Sequence, residues 1–324
     1  MPDIGELLLP SDVPLTGEQL EAALEFAKPN IGSLIEPEPR KFPPMLLDNR
    51  SVLAAVRLIE RQPTAPFTIN AIAAAAGLSP QHFQRAFAEV MGETVGAYIR
   101  RMRLEMAAIR LHLSRDSVLS IAIAVGYGSA EALTHAFQRQ FGCAPKRYRE
   151  LAADRIIPSG PVEMERAQNV QAQWRDESRL LGVRFHGSHA LLPTYWKMFA
   201  EQLATLRLPP EENRVFIGVG YDNPEITQRG LLRYDCAIRL PPHPVDLRGT
   251  AFWPITWPPT RVARITHDGP YHDVFATYRA ITGVWVPGSG EQYGDWPALE
   301  TYPALPWVGP DGPPSQLTIE LALV

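Results

Sequence analysis

Between residues 48 and 155, apolar side chains recur three and four positions apart with almost no proline to interrupt them, a period that predicts helices throughout. The stretch from Val95 to Ser114 carries Tyr98, Met102, Leu104, Ala108 and Leu111 without a breaker, so it predicts one helix of roughly 20 residues and about 30 Å. Self-comparison of the segment reveals a repeat. Ile72-Ala73 and Gly77 recur as Ile121-Ala122 and Gly126 at an offset of 49, and Phe87, Gly92 and Tyr98 recur as Phe137, Gly142 and Tyr148 at an offset of 50. Each copy reads as a helix closed by a glycine, an apolar plug (Leu78 or Tyr127), a capping serine (Ser79 or Ser129) and a second helix with a buried stripe (Phe83-Phe87 or Leu133-Phe137). That order is the pattern of a helix-turn-helix, present twice. A four-helix bundle also contains helix–Gly–helix, but two spaced copies favour DNA, because the linking helix nearly matches one turn of the duplex, about 34 Å.

After residue 155 the pattern changes. Ile156-Ile157-Pro158-Ser159-Gly160-Pro161 reads as a linker, and strand-like and helix-like segments then alternate. Strands are predicted at Leu181–Phe185, Val215–Val219, Asp235–Leu240, Arg261–Thr266 and Leu317–Leu323, and helices at Thr194–Leu206 and His272–Thr282. A second, fainter duplication appears at an offset of 82: strand, His186-Gly187, helix in one half parallels strand, Asp268-Gly269, helix in the other. Two strand–helix–strand–strand units side by side would leave a groove between them. The expected fold is therefore multidomain, an all-α tandem helix-turn-helix domain followed by an α+β domain of duplicated strand-helix-strand-strand units.

Composition sharpens the division. At 324 residues the chain exceeds the size at which one hydrophobic core stops growing. Residues 48–155 hold 14 Lys and Arg against 9 Asp and Glu, whereas both flanks are acidic, and all seven tryptophans lie after residue 155. The boundaries read as an N-terminal proline-rich arm (1–47), a basic helical module (48–155), a linker (156–161) and a second module (162–324). The arm contains a Thr16-x-x-Gln19 capping box opening a short helix that Pro29 ends, and the stretch Pro37–Pro44 suits an extended polyproline conformation. The acidic start and the lack of an 18-residue apolar run predict a cytoplasmic protein with no membrane partner. Cys143 and Cys236 lack metal or disulfide spacing and read as small buried apolar residues. His186, His189, His267 and His272 have no ligand spacing, so neither a metal nor another cofactor is expected.

The run from Phe67 to Arg149, with GLSPQHFQRAF, YIRRMRLEMA and IAIAVGYGSAEALTHAFQRQFGCAPKRYR, closely resembles the tandem helix-turn-helix domain of the AraC/XylS transcription regulators. The resemblance implies double-stranded DNA as a partner, with RNA polymerase beside it. It places Gln81, Gln84 and Arg85 of the first reading helix (Pro80 to Val90) against DNA, with Ala130, Glu131, Thr134 and His135 of the second in the matching positions. Arg and Gln suit base edges through paired hydrogen bonds, while Glu131 repels phosphate, so the second helix is expected to read more loosely. Of Arg100, Arg101 and Arg103 on the linking helix, two are expected to be plain solvated charges.

Residues 162–324 resemble the gyrase-inhibitor-like (GyrI-like) small-molecule-binding domain in IGVGYDNPEIT, LLRYDCAIRL, RVARITHDGPYHDVF, WVPGSGEQYGDWPALETYPA and TIELALV. The resemblance implies a cleft in which aromatics around a central acid bind amphipathic, often cationic compounds. By position in the motif Glu300 is that acid, and Trp285, Trp296, Tyr271, Tyr234 and Tyr302 match wall positions. Aromatic faces and a half-buried carboxylate suit a cation. The reading is thus a non-enzymatic, DNA-binding transcription regulator responsive to a small-molecule effector. A hydrolase acting on reactive small molecules and a topoisomerase-binding module stand as alternatives, and the oligomeric state is open.

Overall fold

The computed structural model describes residues 42–154, 159–209, 214–294, 296–308 and 314–324. The expected helix between Thr16 and Pro29 lies outside the described residues, as does linker segment 156–158. Seven helices fill the first module: α1 (Arg50–Arg61), α2 (Ile69–Ala75), α3 (Pro80–Met91), α4 (Val95–Leu113), α5 (Val118–Ala124), α6 (Ala130–Phe141) and α7 (Pro145–Asp154). Asn49, Thr68, Ser79, Thr94, Ser117 and Ser129 each cap a helix by accepting a bond from the amide three residues on. Gly92 and Gly142 close α3 and α6 at φ +73° and +68°.

The repeat seen in the sequence builds two homologous cores on one shared helix. Phe83, Phe87, Met91 and Tyr98 pack with Val52, Val56 and Ile59 of α1, while Leu104, Leu111, Leu133, Phe137 and Tyr148 form the second core. Tyr98 meets Phe87 edge-on at 5.6 Å and Tyr148 meets Phe137 edge-on at 5.2 Å, so the two copies match down to ring geometry. The expectation for the α4 arginines is corrected. Only Arg100 is exposed; Arg101 is buried between Glu93 (2.7 Å) and Glu105 (3.2 Å). Arg103 donates to the carbonyls of Pro63, Ala65 and Gly126. It ties the turn before α2 to the turn between α5 and α6, fixing one helix-turn-helix against the other.

The second module opens with α8 (Pro161–Ala167) and contains an eight-stranded antiparallel sheet in the order β1-β6-β8-β7-β3-β4-β2-β5. The strands are β1 (Gln171–Arg175), β2 (Ser178–His186), β3 (Phe216–Gly220), β4 (Arg233–Arg239), β5 (Trp253–Trp257), β6 (Thr260–Asp268), β7 (Ala298–Tyr302) and β8 (Gln316–Ala322). All five expected strands appear within or across these ranges; β1, β5 and β7 are additional. Helix α9 (Leu192–Thr205) follows β2, and α10 (Val274–Arg279) follows β6, widening into a π-helical turn at Ala280–Trp285 before α11 (Val286–Ser289).

The duplication is physical. Gly187 and Gly269 leave β2 and β6 with φ of +130° and +133°, a region open to glycine, and each leads through a 3-10 turn into its helix. The units β2-α9-β3-β4 and β6-α10-β7-β8 meet at the centre, where β3 pairs with β7 and Gly218 stands opposite Glu300. Alternation splits the sheet into two faces. Val183, Phe185, Tyr234, Cys236, Tyr302 and Ile319 pack with Tyr195, Trp196 and Phe199 of α9 in the main core. Arg184 and Asp235, on the same two strands, bond instead to α1 of the helical module. Residues 45–47 join the modules a second time: His186 donates to the Met45 carbonyl and Leu47 to the Arg184 carbonyl, beside a bridge between Leu46 and Phe185. The end of the expected arm is thus a strand-like segment bridged to β2 of the second module's sheet.

Candidate ligand and DNA-binding sites

Glu300 sits on β7 at 4% exposure, and four tyrosines donate to its carboxylate. Tyr302 (2.6 Å) and Tyr234 (2.9 Å) bond Oε2, Tyr278 (3.0 Å) bonds Oε1, and Tyr271 reaches both oxygens at 3.3 and 3.4 Å. The strands bring them together: Tyr302 is two residues along β7 on the same face, and Tyr234 arrives from β4 across the intervening β3. That reach depends on Gly218. A Cβ there would fall on the Tyr234 hydroxyl oxygen, 2.6 Å from its Cζ and 3.3 Å from Glu300 Oε2. Burial, with the Glu300 charge adding to it, pushes all four phenols well above their ordinary pKa, so they remain donors.

Aromatic walls surround the ring. Trp307 packs against Tyr271 (4.7 Å between centroids) and Tyr302 (6.2 Å), and it holds a left-handed backbone at φ +58°, a strained conformation for so bulky a residue. Trp196 meets Tyr302 edge-on at 5.4 Å, and His189 lies 6.2 Å from Tyr234, its Nε2 buried without a hydrogen-bond partner. Of the residues expected in this site, Tyr234, Tyr271 and Tyr302 gather on Glu300. Trp285 is half-buried at the end of the π-helical turn and Trp296 is 42% exposed, and neither belongs to the tyrosine ring. Tyr278 and Trp307 were not foreseen: the first lies within the helix expected over His272–Thr282, and the second lies in a loop. The carboxylate is thus enclosed by its own tyrosines. The opposed charge and π faces then suit a cation with apolar bulk. Among the described residues no group of three or more side chains could hold a metal, and no helix is long and apolar enough to cross a membrane.

On the helical module, Gly77 (φ +69°) and Gly126 (φ +84°) turn the chain between the paired helices α2–α3 and α5–α6. Gln81, Gln84 and Arg85 are exposed on the first turns of α3, beside His82. On α6, Glu131 and His135 are exposed, whereas Ala130 and Thr134 are half-buried and the Thr134 hydroxyl donates to the Ala130 carbonyl at 2.7 Å. Glu131 is held below the usual carboxylate pKa by its own amide and by Ser129, which makes it part of the helix cap. Arg139, one turn beyond His135, is exposed and adds the cation that the expected positions lack.

Sequence comparison agrees with this two-part reading. Residues 72–151 match the helix-turn-helix domain family and residues 168–323 match the GyrI-like small molecule binding domain. The chain belongs to the AraC-type helix-turn-helix regulators, with a GyrI-like domain following the DNA-binding one. It is 37% identical to the regulatory protein SoxS of Escherichia coli over 26% of this chain and 78% of SoxS. It is 39% identical to the HTH-type transcriptional regulator Rv1931c of Mycobacterium tuberculosis, over 26% of this chain and 33% of that protein. With the right origin-binding protein of Escherichia coli it shares 40% identity over 26% of this chain and 29% of the relative. The chain thus spans about a third of the length of these last two relatives. Among solved structures, the DNA-binding domain of AdpA in complex with a target DNA is 28% identical, covers 34% of this chain and 98% of its own, and gives a TM-score of 0.32. The EcmrR C-terminal domain is 13% identical, covers 48% of this chain and 96% of its own, with a TM-score of 0.39.

Proposed function

We propose that this protein is a transcription regulator whose affinity for its DNA site responds to a small amphipathic cation bound at Glu300. The observation that carries the reading is the buried carboxylate ringed by four tyrosines in a domain fused to a DNA-binding tandem helix-turn-helix. Gln81, Gln84 and Arg85 would read bases in one major groove, with Ala130, Glu131, Thr134, His135 and Arg139 facing the next. A bound cation neutralises Glu300 without leaving a charge unpaired in the core, while Tyr234, Tyr271, Tyr302 and Trp307 offer π faces to its apolar substituents. RNA polymerase is the partner through which occupancy of the DNA would alter transcription. The relatives SoxS and Rv1931c, regulators by name, support regulation over catalysis.

The test is calorimetry of the full chain with tetraphenylphosphonium and with triphenylphosphine oxide, a neutral compound of similar bulk. Glu300→Gln keeps the shape and removes the charge, so it should weaken the cation by about 1–3 kcal/mol, roughly 5- to 150-fold, and leave the neutral compound nearly unchanged. Equal losses for both would assign Glu300 to the fold rather than to the ligand.

A further inference from the structure

The tyrosine ring and the DNA-binding module are attached to opposite faces of the same two strands. On β4, Tyr234 donates to Glu300 at 2.9 Å, and the next residue, Asp235, turns to the other face. There its carboxylate accepts from Arg57 of α1 at 2.8 Å, from Tyr221 at 2.7 Å and from Arg184 Nε. On β2 the pattern repeats: Phe185 stacks on Tyr195 at 4.9 Å, while Arg184 holds Glu60 of α1 through both terminal nitrogens at 2.7 and 3.0 Å. Arg233, on the other side of Tyr234, reaches Glu60 at 2.9 Å and also pairs with Asp222, and Tyr98 from α4 donates to Glu60 at 2.8 Å.

This cluster sets three guanidinium groups against three carboxylates, every side chain at most 9% exposed, with Arg57 lying 3.3 Å over the Trp253 ring. Burial alone would raise the Glu60 pKa, but Arg184 and Arg233 outweigh it and hold the carboxyl well below its ordinary range. Charges paired in this way have little freedom to slide, because each displaced guanidinium leaves a carboxylate unpaired in a dry seam. On an adjoining face α1 packs Val52, Val56 and Ile59 into the core that contains Phe83 and Phe87 of α3.

Resting on the reading of Glu300 as the ligand site, we propose that β4 and β2 carry the state of that site to the first helix-turn-helix, with Arg57 and Asp235 as the positioning residues of the relay. A ligand that displaces the Tyr234 hydroxyl shifts a strand whose two neighbouring side chains are bonded to α1. The movement is delivered to α1 as a change in the charge cluster.

Hydrogen exchange of the full chain tests the relay, with the ring perturbed in two ways: by saturating tetraphenylphosphonium, and by Glu300→Gln, which needs no ligand. In the otherwise wild-type chain each perturbation should change exchange at the amides of Arg50–Arg61 by about threefold or more. In Asp235→Asn, or in Arg57→Met if the former does not fold, the change at α1 should drop below about twofold while β7 amides respond as before. An α1 response equal in the wild type and in either cluster variant overturns the relay, and so does a response confined to β7. If tetraphenylphosphonium leaves every amide untouched but Glu300→Gln is felt at α1 through Arg57, the relay stands and the cationic-ligand reading falls. If the cation changes DNA affinity and β7 exchange while α1 stays silent, the relay falls and the reading stands.

Discussion

Adding one methyl group at Gly218 should dismantle the tyrosine ring from beneath. In Gly218→Ala the new carbon would fall on the Tyr234 hydroxyl, 2.6 Å from Cζ and 3.3 Å from Glu300 Oε2, so the tyrosine must leave its place over β3. Loss of its 2.9 Å bond to the carboxylate costs about 1.5–3 kcal/mol, and overpacking a central strand costs about 1–3 kcal/mol more. The two together come to about 2.5–6 kcal/mol, a large part of a stability typically near 5–15 kcal/mol, so the variant should show a clearly lowered urea midpoint. Tyr234→Leu removes both the hydroxyl and the clashing ring carbon. In that background Gly218→Ala should cost about 2 kcal/mol less than in the wild type, a coupling of the size expected for residues in direct contact. Additive effects, or a single-variant cost below about 1 kcal/mol, would refute the claim that the glycine exists to let Tyr234 cross to Glu300.

The remaining predictions concern the DNA face and the seam between modules. Arg85→Ala should weaken binding to a selected DNA site by about 1–3 kcal/mol in fluorescence-anisotropy titrations, and His135→Ala by less, because Glu131 is engaged as a cap and Thr134 is bonded to its own helix; a larger loss for His135→Ala reverses the ranking. His186 is buried with neither ring nitrogen partnered, and burial together with Arg184 drives its pKa down to about 3. Its folded pKa lies below the unfolded value near 6.5, so the stability it permits is complete above about pH 6.5 and is lost as the pH falls toward about 3. Between pH 7 and 5 that loss amounts to about 2 kcal/mol, and urea unfolding of His186→Leu should show it removed from the pH profile; an unchanged profile would mean that His186 takes up its proton as readily in the folded seam as in the unfolded chain.

The helical half was legible because its determinants are local. Capping serines and closing glycines act within a few residues, and the offsets of 49 and 50 exposed their repetition before any contact was known. Gly187 and Gly269 were legible for the same reason. Strands β1, β5 and β7 were not: QAQWR is mostly polar, WPITW carries a proline that suits only an edge strand, and ALETY is five residues long. The arginines misled for a different reason. Arg101 and Arg103 occupy helix positions that look solvated, but Glu93 and Glu105 bracket Arg101 and tertiary contact brings the carbonyls of Pro63, Ala65 and Gly126 to Arg103. A signal did exist in RYDCAIR, where a charged residue alternates with apolar ones in a strand buried on both faces. Such a residue requires a buried partner, though only the fold names Arg57. Glu300 was found through resemblance, whereas Tyr278, Trp307 and the role of Gly218 came from geometry.

The most direct test of the central claim is the affinity of the full chain for its selected DNA site, measured by anisotropy with and without saturating tetraphenylphosphonium, in the wild type and in Glu300→Gln. A ligand-responsive regulator should change its affinity at least about fivefold with the cation, matching a coupling of about 1 kcal/mol, and Glu300→Gln should respond little at the same concentration. Equal DNA affinity with and without a cation that calorimetry shows to be bound would contradict the account.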